Sequence, residues 1–296
     1  MPVLTELLRR LEQALGSLER SPEPLSGGIT NRNYRIRLGG RDCVLRLPGQ
    51  DTELLGIDRA AERLATEQAA RLGIGPELLY ADSACAVTAF VPGAPVDQER
   101  LRADPSQVAR ALRAFHGSGL QLPARFWVPE LLRGYAAITA ARGGALPAAY
   151  ARAQELVDRI AAALPPSDPV PCHDDLLPGN LIQTGERILL VDWEYAGLGH
   201  RYFDLANLAA GNDFDEAAEE RLLEAYLGQP VALDQLATLR LFRLVSDARE
   251  AAWGVVQGVL SELDFDFAAY AEEHFERLQR AAADPRLEEY LNAATT

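Results

Sequence analysis

The 296-residue sequence predicts an α+β chain of two lobes, a small antiparallel-sheet lobe over residues 1–91 and a mainly helical lobe over residues 92–296. Three observations predict it. Short strand-like segments punctuated by Gly and Pro crowd the first third. Longer amphipathic segments fill the remainder. Strands and helices do not alternate strictly, which argues against a parallel α/β sheet.

Taken in order, Val3–Leu18 has the apolar spacing of an amphipathic helix, and its Glu6, Glu12 and Glu19 are unlike a signal peptide. Residues 26–38 (Ser-Gly-Gly-Ile-Thr-Asn-Arg-Asn-Tyr-Arg-Ile-Arg-Leu) read as a strand, a Gly-rich turn and a returning strand. Gly39-Gly40 turns the chain into a strand over Asp42–Leu47, which Pro48-Gly49 ends. Asp58–Leu72 is Ala-rich and helical, with Leu64, Ala65, Ala69 and Leu72 along one side and Gly73 as a stop. Glu77–Ala81 and Ala84–Val91 read as two further strands, and Pro92-Gly93-Ala94-Pro95 marks the lobe boundary. Helices are then expected over Pro105–His116, Phe126–Ala141, Leu146–Leu164, Ala217–Leu227, Leu233–Leu260 and Phe267–Ala283, with residues 171–191 interrupting them as a loop and a short hairpin.

A net charge of −14 argues against a nucleic-acid partner, which would need a basic face, and is compatible with a small cationic substrate. The three cysteines, Cys43, Cys85 and Cys172, have no pairing or zinc-ligand spacing and fit a reducing compartment. No apolar run approaches the ~20 residues of a membrane span, so a cytoplasmic location without membrane contact is expected. All 29 basic residues are arginine, which excludes a Gly-Lys-Ser/Thr phosphate loop. Oligomeric state is not legible.

The chemistry concentrates between Pro171 and Leu208. Asp175 and Asn180 are spaced Asp-x-x-x-x-Asn, His173 stands two residues ahead, and Asp192 follows twelve residues after Asn180 at the end of an apolar strand. A carboxylate to accept or orient a hydroxyl proton, with an amide and a second carboxylate to hold Mg²⁺, is the equipment of protein-kinase-type phosphoryl transfer. His173 reads as an orienting or packing residue and Asp204 as a support of the catalytic loop. Gly27-Gly28 with Thr30 and Asn31 is a candidate phosphate cradle, since glycine lets backbone N–H groups approach the oxygens. Arg46 on the next strand stands where kinase-like folds place a lysine for the nucleotide phosphates, and its fork of donors suits them. Glu62 on the following helix is its candidate partner, with Glu67 as the alternative. Backbone groups near Ala89–Val91, where such a fold joins its lobes, are expected to meet adenine. The cofactors implied are ATP and Mg²⁺.

With these residues in hand, the chain resembles the choline/ethanolamine kinase family within the aminoglycoside-phosphotransferase-like group, and the resemblance spans nearly its whole length. Gly27-Gly28-Ile-Thr-Asn31-Arg-Asn33-Tyr is similar to that family's phosphate loop, and Val44-Leu-Arg46 to its third strand. Cys172-His-Asp-Asp175-Leu-Leu-Pro-Gly-Asn180 is similar to its catalytic loop, and Val191-Asp192-Trp-Glu-Tyr195 with Phe203-Asp204-Leu-Ala-Asn207 to its metal-binding segment. The stretch from Trp253 through Gln257 and Phe265 to Tyr270 resembles the wall of its substrate pocket. The resemblance implies a bilobal protein-kinase-like fold and phosphorylation of a small cationic alcohol, choline first. A quaternary ammonium offers no N–H donor and is recognised by aromatic faces, so Tyr195, Trp253, Phe265 and Tyr270 are the candidate cage. Many eukaryotic members carry a second tryptophan where this chain has Glu250, and a glutamate where it has Gly211-Asn212-Asp213. Glu250 or Asp213 is then the candidate source of pocket charge. Thiamine, ethanolamine or an aminoglycoside stays open as the acceptor, as does a nucleotide-binding regulatory protein without turnover.

Overall fold

A computed structural model describes residues 2–25 and 31–294. Helix α1 (Pro2–Leu15) leads into strands β1 (Leu18–Leu25), β2 (Arg32–Leu38) and β3 (Arg41–Leu47). Next come α2 (Arg59–Arg71), β4 (Leu78–Ala81) and β5 (Ala86–Ala89). The five strands form one antiparallel sheet in the order β1-β2-β3-β5-β4. The first helix stops earlier than its apolar spacing suggests. Gly16, at φ 101°, turns the chain so that Leu18 pairs with Leu38 as the start of β1.

The sheet and α1 share a small core of Leu7, Leu11, Ile36, Leu38, Cys43, Leu45, Cys85 and Val87. Helix α2 belongs elsewhere. The Asp58 carboxylate caps it by accepting the Ala60 and Ala61 N–H groups, and Ala61, Ala65 and Ala69 recur every four residues to bury one stripe in the large core of the helical body. The buried face is thus an alanine stripe, whereas Leu72, expected on it, is 37% exposed. Small side chains there let α2 approach closely enough for Gly75 to pass beneath Trp193.

The remainder runs β6 (Ala94–Pro95), α3 (Gln98–Ala103), α4 (Ser106–His116), α5 (Val128–Ala141) and α6 (Ala148–Ala163). Then follow β7 (Val170–Cys172), the hairpin β8 (Leu181–Thr184) and β9 (Arg187–Leu190), and β10 (Gly197–Gly199). Helices α7 (Arg201–Gly211), α8 (Glu216–Leu227), α9 (Leu233–Leu260), α10 (Phe267–Ala282) and α11 (Leu287–Ala294) complete it. Helix α9 is the axis of the body. From Ala248 to Trp253 every residue is buried, because α5, α7, α10 and α11 pack around it. The loop that carries His173 and Asp175 lies between β7 and a 3₁₀ turn at Pro178–Asn180, bracketed by two small antiparallel pairings, β7 with β10 and β6 with β8. Among the described residues, no helix is long and apolar enough to cross a membrane.

Candidate active site

The hairpin turns one sequence motif into one place. Strand β8 leaves the 3₁₀ turn at Asn180, β9 returns with Leu190 opposite Leu181, and the Val191 N–H donates to the Asn180 carbonyl (3.0 Å). Asp192 therefore emerges beside Asn180. It does so at φ 64°, and Asp174 sits at φ 65°, both in the left-handed region that non-glycine residues seldom adopt.

Asp175 is 9% exposed. Asn180 donates through Nδ2 to the Asp175 carbonyl (2.8 Å) and to Asp175 Oδ2 (3.0 Å), while Arg249 Nη1 lies 3.4 Å from Asp175 Oδ1. Burial pushes the Asp175 carboxyl up to about 7, with the Arg249 guanidinium opposing. Asp204 holds the loop from behind. It accepts the His173 N–H (2.8 Å) and the Asp174 N–H (2.7 Å), and its Oδ2 meets His116 Nε2 (2.9 Å). Burial opposes its ionisation, yet these bonds keep it below the usual carboxylate range. His173 is buried with its ring against Trp193 and Nε2 at 3.0 Å from the Val191 carbonyl, so it braces the loop against the hairpin. His116, Cys172 and Asp204 lie close together, but the two Asp204 oxygens are already engaged by hydrogen bonds, so this trio is a support and no metal centre.

On the sheet side, Arg46 Nη2 lies 2.5 Å from Glu62 Oε1, and Nη1 contacts Asp192 Oδ1. Glu62 is therefore the partner of Arg46, whereas Glu67 pairs with Arg63 and Arg71 on the outer face of α2. Asn31, the one phosphate-loop candidate within the described residues, is buried and donates to Glu194 Oε2 (2.8 Å); Gly28 and Thr30 lie outside the described residues. Burial raises the Glu194 carboxyl to about 8, the charge of Asp192 adds to this, and Arg46 opposes it. At the lobe junction the Ala89 N–H already donates to the Glu77 carbonyl (2.8 Å) and the Phe90 N–H to the Asp42 carbonyl (3.0 Å). The sheet thereby takes the Ala89 and Phe90 N–H donors, which leaves the remaining backbone groups of the Ala89–Val91 segment for the expected contact with adenine. Val91 is the first position beyond the sheet's bonding.

The oxygens fit a magnesium ion. Asn180 uses Nδ2 toward Asp175 and keeps Oδ1, Asp192 keeps Oδ2, and hard oxygen donors are what Mg²⁺ prefers.

At the other end of Asp175, the aromatic candidates converge. Trp253 Nε1 donates to the Tyr195 hydroxyl (2.7 Å), the Trp253 and Tyr270 ring centroids are 5.6 Å apart, and Phe265 lies 5.9 Å beyond Tyr270. Tyr195 and Trp253 are buried, and only Tyr270 and Phe265 reach solvent. Glu250, expected to lend charge to the pocket, is buried and fully engaged. Its Oε1 meets Arg249 Nη1 (2.7 Å) and Asn207 Nδ2 (3.4 Å), and its Oε2 accepts from the Tyr270 hydroxyl (2.8 Å). Asp213 lines a separate cleft of about 620 Å³ with Glu216, Arg240 and Asp247. Arg249 is the site residue the motif reading missed, while Asn207 and Glu194 lie within its segments without an assigned role.

The profile of the phosphotransferase enzyme family matches residues 21–242. Protein LicA of Haemophilus influenzae is 28% identical over 232 residues, covering 74% of this chain and 67% of its own. A probable choline kinase 1 of Arabidopsis thaliana is 26% identical and covers 92% of both chains. Among solved structures, a choline/ethanolamine kinase family protein from Mesorhizobium loti superposes with a TM-score of 0.82 at 29% identity, over 99% of both chains.

Proposed function

Because the chain belongs to the phosphotransferase enzyme family, we propose that it transfers the terminal phosphoryl group of ATP to the hydroxyl of a small amino alcohol, choline first. The observation that carries the reading is the pairing of Asp175 with Asn180 beside Asp192, backed by Arg46 and Glu62. Asp175 accepts or orients the acceptor's hydroxyl proton. Asn180 and Asp192 would hold magnesium, which when bound neutralises charge on the phosphates. Arg46, kept charged between Asp192 and Glu62, grips the nucleotide. The transition state is loose, so the residues contribute mainly alignment and charge. Tyr270 and Phe265 give an ammonium group two aromatic faces at the pocket mouth. A second reading, a primary ammonium such as that of ethanolamine, is favoured by the Tyr270 hydroxyl, which donates to Glu250 and keeps a lone pair at the same wall for an N–H donor.

ADP release with Mg²⁺-ATP is to be measured against choline, ethanolamine, thiamine and kanamycin, with Asp175→Ala as the blank. Turnover with choline, lost in Asp175→Ala while ADP affinity is kept, supports the proposal. Turnover that survives the substitution removes Asp175 from the reaction.

A further inference from the structure

Arg249 sits on α9, is 1% exposed, and lies 74 residues from Asp175 in sequence. A buried guanidinium is costly, and an apolar side chain of similar length would fill the same space at no electrostatic cost. What this one does is visible in its contacts. Asp175 has one carboxylate oxygen toward Asn180 (3.0 Å) and the other toward Arg249 (3.4 Å). The same Arg249 nitrogen bonds Glu250 (2.7 Å), and its guanidinium lies 4.4 Å from the Tyr195 ring centroid. The circuit then closes. Glu250 accepts from Asn207 (3.4 Å), whose own carbonyl oxygen accepts the backbone N–H of Leu176, the residue after Asp175. The other Glu250 oxygen takes the Tyr270 hydroxyl (2.8 Å), at the mouth of the aromatic wall.

We propose that Arg249 is a positioning residue that fixes the Asp175 carboxylate against Asn180 and, through Glu250 and Tyr270, ties its orientation to the wall an acceptor touches. The proposal rests on the reading of Asp175 as the group that meets the acceptor hydroxyl. It predicts that Arg249 acts on turnover and leaves nucleotide binding alone, because none of its contacts reaches Arg46, Glu62 or Asp192.

Two measurements test it on the full chain. Steady-state kinetics of Arg249→Met should show kcat down by about a hundredfold, the size of effect that follows from misaligning a reacting group, with KM for ATP within about twofold of the parent. Arg249→Lys, which keeps the charge and loses the fork, should recover part of that loss. Thermal melts of Arg249→Met, Asp175→Asn and the double variant form a cycle. The double variant should melt above Arg249→Met, by about 4 °C, because removing the carboxylate charge relieves the pair left unbalanced. A kcat within about threefold of the parent in Arg249→Met, or no recovery in Arg249→Lys, overturns the proposal. Melting losses that simply add overturn the coupling. Should the unaltered protein turn over no acceptor, the kinase reading fails instead, and the melting cycle still decides whether Arg249 and Asp175 are coupled.

Discussion

Asp174 carries more tension than its neighbour Asp175. Its side chain is fully buried, neither carboxyl oxygen makes a well-formed hydrogen bond although the Gly197 N–H lies near, and its backbone is left-handed. Burial, with the charge of Asp204 adding, pushes this carboxyl well above its ordinary value. The folded state therefore keeps a proton that the unfolded chain releases above roughly pH 4, so this residue lowers stability progressively as pH rises. Asp174→Asn removes that cost and suits the left-handed backbone at least as well. Melts should show the variant more stable than the parent at pH 8, with the gain shrinking toward pH 4; a lower melting point at pH 8 contradicts the account. A second residue-scale test is Tyr195→Phe, which strands the Trp253 indole N–H in a buried site. It should cost about 1–3 kcal/mol in urea unfolding. The motif residues were legible because Asp175, Asn180 and Asp192 lie close in sequence. Arg249 was not, since nothing local marks an arginine on a long helix as facing a carboxylate 74 residues away. The one available hint is that Ser246, Asp247, Arg249 and Glu250 interrupt a run whose other members are apolar and buried all round.

Helix α7 is not legible as a helix in the sequence, where Phe203–Asn207 stands out as a motif instead. The structure shows why one segment serves both ends. A helical turn places Asp204 under the His173 and Asp174 N–H groups and Asn207 under that of Leu176. The helix is capped by His200, whose Nδ1 accepts the Tyr202 N–H (3.3 Å) while its ring stacks on Phe242. Burial, with Arg201 adding, lowers this imidazole to about 4. The unfolded chain takes up the proton near pH 6.5, so the capping contribution is complete above that and is lost as pH falls through this range toward 4. His200→Asn keeps a capping acceptor without a titrating ring. Melting point against pH should be flatter for the variant between pH 6.5 and 4, and an unchanged slope would assign the acid sensitivity elsewhere. Helices α3 and α11 escaped for a plainer reason. At six and eight residues they are too short for periodicity to separate them from loop, and tertiary packing holds them.

At the scale of the molecule, the sheet meets the helical body through specific polar contacts: Arg46 on β3 reaches Asp192, and Asn31 at the head of β2 reaches Glu194. The division into two architectures was legible from where Gly and Pro fall. The allegiance of α2 to the larger core was not, because alanine spacing carries no information about which surface it meets. The chain's passage between the two parts depends on Gly93, where any Cβ would collide with the Gln183 carbonyl oxygen on β8. Gly93→Ala should separate β6 from β8 and cost about 1–3 kcal/mol, with the melting point as the readout and a neutral result as the refutation.

Arg46 also has a practical corollary. Reactive nucleotide probes that survey cells for ATP sites work by acylating an amine held near the phosphates. On the proposed reading the corresponding group here is the Arg46 guanidinium, locked between two carboxylates, and no lysine stands anywhere in the chain. A survey of that kind will pass over this protein in silence however tightly it holds its nucleotide, and trypsin will cut it only at arginine.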